Sequence, residues 1–478
     1  MNRNNIWIHI GLAVVLITFA AVLGRIDRWR SSLSVSNDRS PAVPSAPPAP
    51  PVPGSASKGE RDAEVLVRFK PGVTLGAIKF VAARNHDVIV DEIEAVNGLV
   101  AIDDLDDADP ESVARQYGQM TDLVSYAEPN FRIELGDPLL GRLTQDKDPN
   151  TYEPGQPNDP QFSDQWALHN LGQNGGKQRA DIDALKAWAR TRGSADVVVA
   201  VLDTGVDYTH IDLRSNMWLR PENVPQYVDD ELGRFEDERG FDVDTTLSDP
   251  MDDNGHGTHV AGIIGAEGDN AEGITGVNWN VQLMPLKFLG RGGFGTTKDA
   301  IAAINYAIDR KKNGVNVRII NASWGSTSRS KALEDAIRAA GNAGIIFIAA
   351  AGNNSGDNDK RPHYPSNYDL PNVISVASLD NTDQLSSFSN YGLKTVHVAA
   401  PGREILSTWL GDAYREASGT SMATPYVSGV AALIIASEPS ITVAELRRRL
   451  LNSVDKIDTL SSKVASGGRI NAARALGR

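Results

Sequence analysis

Three residues of this 478-residue chain have the type and local setting for nucleophilic acyl transfer. Ser421 lies in Gly419-Thr420-Ser421-Met422-Ala423-Thr424-Pro425, ahead of a small and apolar run from Tyr426 to Ala436. The glycine permits a tight turn, and a proline in the first helical turn costs no hydrogen bond, so the serine is expected at the N-terminus of a buried helix. There its own N–H has no partner inside the helix, and the helix dipole favours negative charge. That setting suits a nucleophile whose substrate develops an oxyanion. His256 stands between two glycines in Asn254-Gly255-His256-Gly257-Thr258-His259, at the opening of an apolar helix, where the glycines would let a substrate backbone approach. Asp203 ends the hydrophobic run Val197 to Leu202 at a Gly turn, which places it at the C-terminal end of a strand. A serine hydroxyl needs a base within hydrogen-bond reach and a group that orients the base; His256 and Asp203 have the contexts for those roles.

Each motif also has a blander reading. The serine segment alone would serve as a capped packing helix. His256 and His259 have the spacing of a metal pair, but no third ligand at metal spacing accompanies them, and His259 reads as a core histidine. Asp203-Thr204-Gly205 alone suggests an aspartic protease, which needs a second copy that the chain lacks. Asp207 reads as structural, serving the turn after the strand.

The elements that must position these residues follow from the hydrophobic pattern. Apolar strands at 197–202, 282–289, 317–322, 345–350, 373–377 and 396–400 alternate with helical stretches at 181–190, 256–266, 297–312, 330–341, 421–437 and 443–453. That alternation implies a mostly parallel sheet with helices on both faces. Upstream, Glu64–Phe69, Leu75–Asn85, Val88–Val96, Leu99–Asp103, Pro110–Met120 and Leu123–Glu128 form a βαββαβ series, the split, ferredoxin-like arrangement. Phe131 to Pro157 has little periodicity and reads as an exposed connection. Before all of this, Ile6–Gly24 is an apolar run long enough to span a bilayer, and Ser31–Lys58 is a Pro/Ala/Ser-rich tether. Hydrophobic content of 41% supplies a sizeable core, and a net charge of −14 argues against a nucleic-acid partner. With no cysteine, disulfides, thiolate metal sites and cysteine nucleophiles are excluded.

With Asp, His and Ser in this order and all three segments present, most of residues 159–478 resemble the subtilisin-like serine proteases. The resemblance implies an α/β fold of three layers around a mostly parallel central sheet, preceded by a small α+β ferredoxin-like domain similar to the family's inhibitory propeptide. The segment Tyr126-Ala-Glu-Pro-Asn130 belongs to that likeness. The chain then divides into a signal peptide or membrane anchor (1–24), a linker (25–62), the propeptide-like domain (63–135), a processing linker (136–157) and the protease domain (158–478). Asn353, at the end of Ala349-Ala350-Ala351-Gly352-Asn353, is implied in an oxyanion hole with the Ser421 N–H.

Two glycine-bearing segments, Gly292-Gly293-Phe294-Gly295 and Ser323-Trp324-Gly325, leave backbone groups exposed, so that an extended peptide can add as a strand. The resemblance sets Trp324 beside the pocket for the side chain preceding the cut, and His363 at its base. It further implies calcium held by Asp159, Asp212 and Asn270 with carbonyls of the Glu267–Ile274 loop; a hard cation wants such oxygen ligands. The expected activity is that of an exported serine endopeptidase, secreted or anchored through Ile6–Gly24. It would be a self-processing zymogen inhibited by its own propeptide and a monomer once mature, acting on proteins or peptides. A peptide ligase or macrocyclase would need an element excluding water from the acyl-enzyme. A silent, membrane-tethered binding protein would normally have lost a catalytic residue, and all four are present.

Overall fold

A computed structural model describes residues 65–136, 139–144, 155–229, 233–243 and 248–477. The readings of Ile6–Gly24 and of the proline-rich tether lie outside those residues. The described chain opens with β1 (Val65–Phe69), α1 (Leu75–Arg84), β2 (Asp87–Glu92), β3 (Leu99–Asp104), α2 (Pro110–Gly118) and β4 (Val124–Pro129). The strands form an antiparallel sheet in the order β2-β3-β1-β4, the order of a ferredoxin-like unit. Both helices start where their sequences dictate. Thr74 Oγ1 accepts the Ala77 N–H, and Asp109 accepts that of Ser112 with Pro110 at the first helical position. Alternation along β1 splits its side chains between two cores. Val65, Val67 and Phe69 pack with Ile78, Val113 and Tyr117 of the helices, while Leu66 faces the larger domain.

Two short strands follow, β5 (Arg132–Glu134) and β6 (Leu139–Thr144). Both fall in the stretch expected to be irregular. Their partners lie far along the chain, so their own composition carries little pattern.

The larger domain continues with α3 (Ala184–Trp188), β7 (Gly193–Asp203), the hairpin β8 (Val228–Asp229) and β9 (Gly233–Arg234), β10 (Phe241–Asp242), α4 (His256–Gly265), β11 (Asn280–Lys287), β12 (Phe294–Thr296), α5 (Thr297–Lys312) and β13 (Val317–Ala322). After these come α6 (Lys331–Asn342), β14 (Ile346–Ala350), β15 (Val373–Leu379), β16 (Val398–Pro401), β17 (Ile405–Trp409), β18 (Ala413–Ser418), α7 (Thr420–Ser437), α8 (Val443–Asn452), β19 (Asp455–Lys456), β20 (Gly468–Arg469) and α9 (Ala472–Ala475). Nine strands make one sheet, β10-β11-β7-β13-β14-β15-β16-β20-β19, parallel except where β19 meets β20.

Helices cover both faces. Val197, Val199 and Val201 of β7 pack with α3, α4, α7, α8 and α9, and Val198, Ala200 and Leu202 with α5 and α6. Burial on both faces is why these strands read as continuous apolar runs. Among the described residues α7 alone is long and apolar enough to cross a membrane, and it is instead a core helix, buried from Thr420 to Ile435.

Candidate active site

The C-terminal ends of β7 and β14 and the N-termini of α4 and α7 meet at one end of the sheet, with α4 packed against α7. Asp203 is the last residue of β7 and His256 the first of α4, both buried, and Asp203 Oδ1 lies 2.7 Å from His256 Nδ1. The flanking glycines serve packing rather than substrate approach. A Cβ on Gly257 would sit 2.1 Å from the Gly205 carbonyl oxygen, and one on Gly255, at φ +105°, would strike the Trp409 indole at 2.5 Å.

Asp252, not singled out from the sequence, fastens this half. Its Oδ1 accepts the N–H groups of Asn254 and Gly255 and the Thr204 hydroxyl, and its Oδ2 accepts the Thr258 N–H and hydroxyl. Burial pushes its pKa up, and these bonds work against that. Thr204 Oγ1 accepts the Gly257 N–H, so the turn carrying Asp203 and the helix carrying His256 are tied together. A signal was available: an acid shortly ahead of an apolar helix is a capping pattern. Lys287 also meets this corner, with Nζ on the Thr204 carbonyl at 2.7 Å and on Asp253 at 2.8 Å.

His259 is a core histidine: its buried ring has Nε2 on the Ile405 and Arg415 carbonyls. Carbonyls only accept, so that nitrogen carries a proton and is no metal ligand. Burial pulls its pKa down to about 3. Asp207 serves its turn, accepting from Thr209 and from the Gly411 N–H.

Ser421 is the second residue of α7, capped by an extended Gly419 rather than by a tight turn. A Cβ on Gly419 would come 3.5 Å from Asn353 Nδ2, an ordinary contact that places this backbone beside the amide. Pro425 lies beyond the first helical turn, in contrast to the expectation. It lacks the N–H that would bond the Ser421 carbonyl, and the Ser323 hydroxyl donates there instead at 2.8 Å. In return Ser421 Oγ donates to the Ser323 carbonyl at 2.8 Å. The serine hydroxyl thus points to Ser323 and not to the imidazole, whose Nε2 is buried and without a hydrogen-bond partner. Asn353 follows Gly352, and its Oδ1 accepts both the N–H and the hydroxyl of Thr420, at 2.8 and 2.9 Å. A backbone N–H can bond only the amide oxygen, so the amide orientation is fixed and Nδ2 is left for the cleft.

That cleft, about 610 Å³, is lined by Ser421, Asn353, the Ser323–Gly325 segment, His363 and the chain's own Leu135 and Gly136. β5 pairs antiparallel with β12, Glu134 opposite Phe294 and Ile133 opposite Gly295, and the Leu135 N–H donates to the Gly293 carbonyl at 2.8 Å. A Cβ on Gly136 would lie 4.0 Å from Asn353 Nδ2. Gly292 and Gly293 supply the turn before β12, with Gly293 at φ +74°. The Trp324 indole lies in the core, on the Leu202 carbonyl and beside Phe288. His363 fits between two glycines: a Cβ on Gly325 would be 2.1 Å from its Cε1, and one on Gly352 3.0 Å from its Cδ2. Burial lowers its pKa to about 4, so the ring is neutral near pH 7.

The ferredoxin-like unit holds the tail in place from above α5 and α6. Glu128 accepts the Ser330 hydroxyl and the N–H groups of Lys331 and Ala332, capping α6. The Phe131 carbonyl and Asn130 Oδ1 take the Thr297 and Lys298 N–H groups at the start of α5. Helix starts leave such donors without intrahelical acceptors, which makes them docking points for acids and carbonyls. Arg68 and Tyr126 both bond Asp335.

On another side of the domain, Asp159 and Asp212 are buried carboxylates. Burial, with a smaller part from the Asp269 charge, pushes Asp159 to about 7, and burial, with a smaller part from the Asp159 charge, pushes Asp212 to about 8. Asp159 Oδ1 is sealed from solvent without a hydrogen-bond partner. Such a pair fits a hard cation. Asn270 Nδ2 donates to Asp212 at 2.9 Å, and its Oδ1 accepts the Glu272 N–H, which leaves that oxygen one further lone pair. Among the described residues no three acidic or histidine side chains converge on one metal position, so backbone carbonyls would have to complete a shell.

Comparison with known proteins agrees with this geometry. The profile of the Subtilase family matches residues 194–471. The chain is 37% identical over 354 residues to the thermophilic serine proteinase of Bacillus sp. (strain AK1), covering 74% of this chain and 73% of that protein. It is 36% identical over 320 residues to thermitase of Thermoactinomyces vulgaris, covering 67% of this chain and 99% of thermitase. In fold it superposes on fervidolysin of Fervidobacterium pennivorans with a TM-score of 0.68 at 23% identity, over 89% of this chain and 62% of fervidolysin. A protease of Pseudoalteromonas arctica gives a TM-score of 0.54 at 30% identity, over 67% of this chain and 98% of that one. A three-layer α/β domain that matches the family profile from β7 to beyond β20, and shares more than a third of its aligned residues with the thermophilic serine proteinase and with thermitase over most of their length, belongs to the subtilase family of subtilisin-like serine proteases.

Proposed function

We propose that the protein is a serine endopeptidase, made as a zymogen that cuts itself within residues 136–157. The observation that carries this reading is the chain's own Arg132–Gly136, seated as an added strand in the cleft that holds Ser421 and Asn353. In the reaction Ser421 Oγ turns from the Ser323 carbonyl to His256 Nε2 and attacks the peptide carbonyl. His256 takes the hydroxyl proton and passes it to the leaving amine as the C–N bond breaks. Water then enters by the same base and releases the acyl group. Asp203 orients the imidazole through Nδ1 and stabilises its charged form. The Ser421 N–H and Asn353 Nδ2 bind the oxyanion. Gly292–Phe294 and Ser323–Gly325 grip the substrate backbone, so affinity rests little on sequence. Ser421→Ala should abolish casein cleavage, a loss of about 10⁶ in turnover; retention of activity would remove Ser421 from its role.

The ferredoxin-like unit acts as the intramolecular inhibitor, and Ile6–Gly24 carries the chain out of the cell or holds it at the membrane surface. Calcium would be held by Asp159 and Asp212, where it would neutralise two buried carboxylates and so stabilise the folded domain. EDTA should lower the thermal midpoint and added calcium restore it; an unchanged midpoint would rule the site out.

A further inference from the structure

A second cavity, of about 550 Å³, lies at the opposite end of the sheet from Ser421, where the parallel strands begin. Its walls are the last turn of α5, the start of β13, the end of α6 and the loop Pro439–Thr442 that leads from α7 into α8. Two cations line it, Lys311 of α5 and Arg318 of β13, and among the described residues no acid does.

Backbone carbonyls fix both cations. Lys311 Nζ donates to the Val317 carbonyl at 2.6 Å. Arg318 reaches across to the loop, with Nη1 on the Pro439 carbonyl at 2.7 Å and Nη2 on the Ile441 carbonyl at 2.5 Å. An ammonium has three donors and a guanidinium five, so both groups keep donors to spare. Among the described residues neither pairs with a carboxylate. Asp309 serves Arg310, and Glu445, just past the cavity wall, serves Arg448 and Arg449.

The two like charges instead act on each other. Burial, and after it the Arg318 charge, lowers the Lys311 pKa to about 8, and burial lowers that of Arg318 as well. The C-terminal ends of α5 and α6 offer the pair only partial negative charge. A charge withdrawn from water costs free energy unless an opposite charge answers it. In a chain of net charge −14, two adjacent cations without an acid form surroundings that an anion would complete. The large apolar side chains left exposed among the described residues lie elsewhere, so nothing on this wall would take up a lipid chain.

We propose that this cavity binds a small, doubly charged oxyanion of the phosphate or sulfate class, held between the Lys311 ammonium and the Arg318 guanidinium. Bound there, the anion joins the end of α5, the start of β13 and the loop after α7. It thereby fastens the far end of the helix that carries Ser421 without touching the reaction. Binding requires charged Lys311, which in the free protein loses its proton near pH 8. Above that pH, binding takes up a proton and the affinity falls, by up to about tenfold per pH unit.

The test is calorimetric titration of inorganic sulfate into the full-length chain, carrying Ser421→Ala to prevent self-digestion, at constant ionic strength. Saturable binding of one sulfate per chain is expected near pH 7, with phosphate competing for it. Lys311→Met or Arg318→Gln should weaken binding by at least about tenfold, and Lys311→Arg, which keeps the charge, should retain it. As the pH rises above 8 the affinity should fall, but stay level in Lys311→Arg, since sulfate itself does not titrate there. That dependence needs no change at the site, so it decides the matter even where a substitution harms folding. Vesicles containing phosphatidic acid should not capture the chain. The proposal is overturned by the absence of saturable heat at millimolar sulfate, by binding that survives both Lys311→Met and Arg318→Gln, or by an affinity that stays level above pH 8. Capture by the vesicles without a response to free sulfate would overturn it too.

Discussion

In the proposed mechanism the Asp203–His256 side of the cluster is closed by hydrogen bonds that persist through the reaction, whereas on the Ser421–Asn353 side the serine hydroxyl must leave its present bond and the oxyanion bonds have yet to form. On the first side a buried 2.7 Å contact is backed by Asp252, which receives five donors from four residues. On the second, the Ser421 hydroxyl is lent to the Ser323 carbonyl, while Asn353 is clamped by its oxygen so that its nitrogen stays open. In the proposed mechanism the base and the Asn353 amide are set on folding, and only the serine hydroxyl has to turn when substrate enters. Fixed donors aimed at a charge that develops later are the economical form of electrostatic catalysis, since nothing reorganises at the moment of reaction.

Breaking either side should have graded effects. His256→Ala should cost about 10⁶ in kcat and Asp203→Ala about 10⁴, the magnitudes found for the same triad in subtilisin; equal losses would mean that Asp203 does more than orient. Asn353→Leu should lower kcat by about 10²–10³ with little change in KM. A rise in KM alone would show that the amide binds the ground state and that the open side is not tuned to the oxyanion. Asp252→Asn is expected to act mainly on stability. It turns acceptors for buried Thr258 and Thr204 donors into a competing NH₂ group, at about 3 kcal/mol in urea unfolding. If stability held while kcat collapsed, Asp252 would belong to the catalytic machinery and not to its scaffold.

The difference between the two sides also explains what could be read in the sequence. Asp203, His256 and Ser421 were legible because each sits at a local feature, a strand end or a helix start, that adjacent residues announce. The sheet strands and main helices were legible for a similar reason: burial on both faces writes long apolar runs. Asp252 was passed over because the partner that gives it its importance, Thr204, lies 48 positions away, so that only folding shows what it joins. The exchange between Ser323 and Ser421 joins residues 98 positions apart and depends on which helical turn Pro425 occupies, and end positions are the least certain part of any helix. Gly255 and Gly257 were read as room for substrate when they are room for Trp409 and the Gly205 carbonyl. β5 and β6 left no pattern because each is a strand only by virtue of a remote edge, β12 and β18.

The most direct test of the central claim is intact-mass analysis of wild type and Ser421→Ala expressed side by side. Wild type should lose its N-terminal segment while Ser421→Ala stays full-length. Identical trimming of both chains, or a full-length wild type, would contradict an account in which Ser421 cuts the strand that lies in its own cleft.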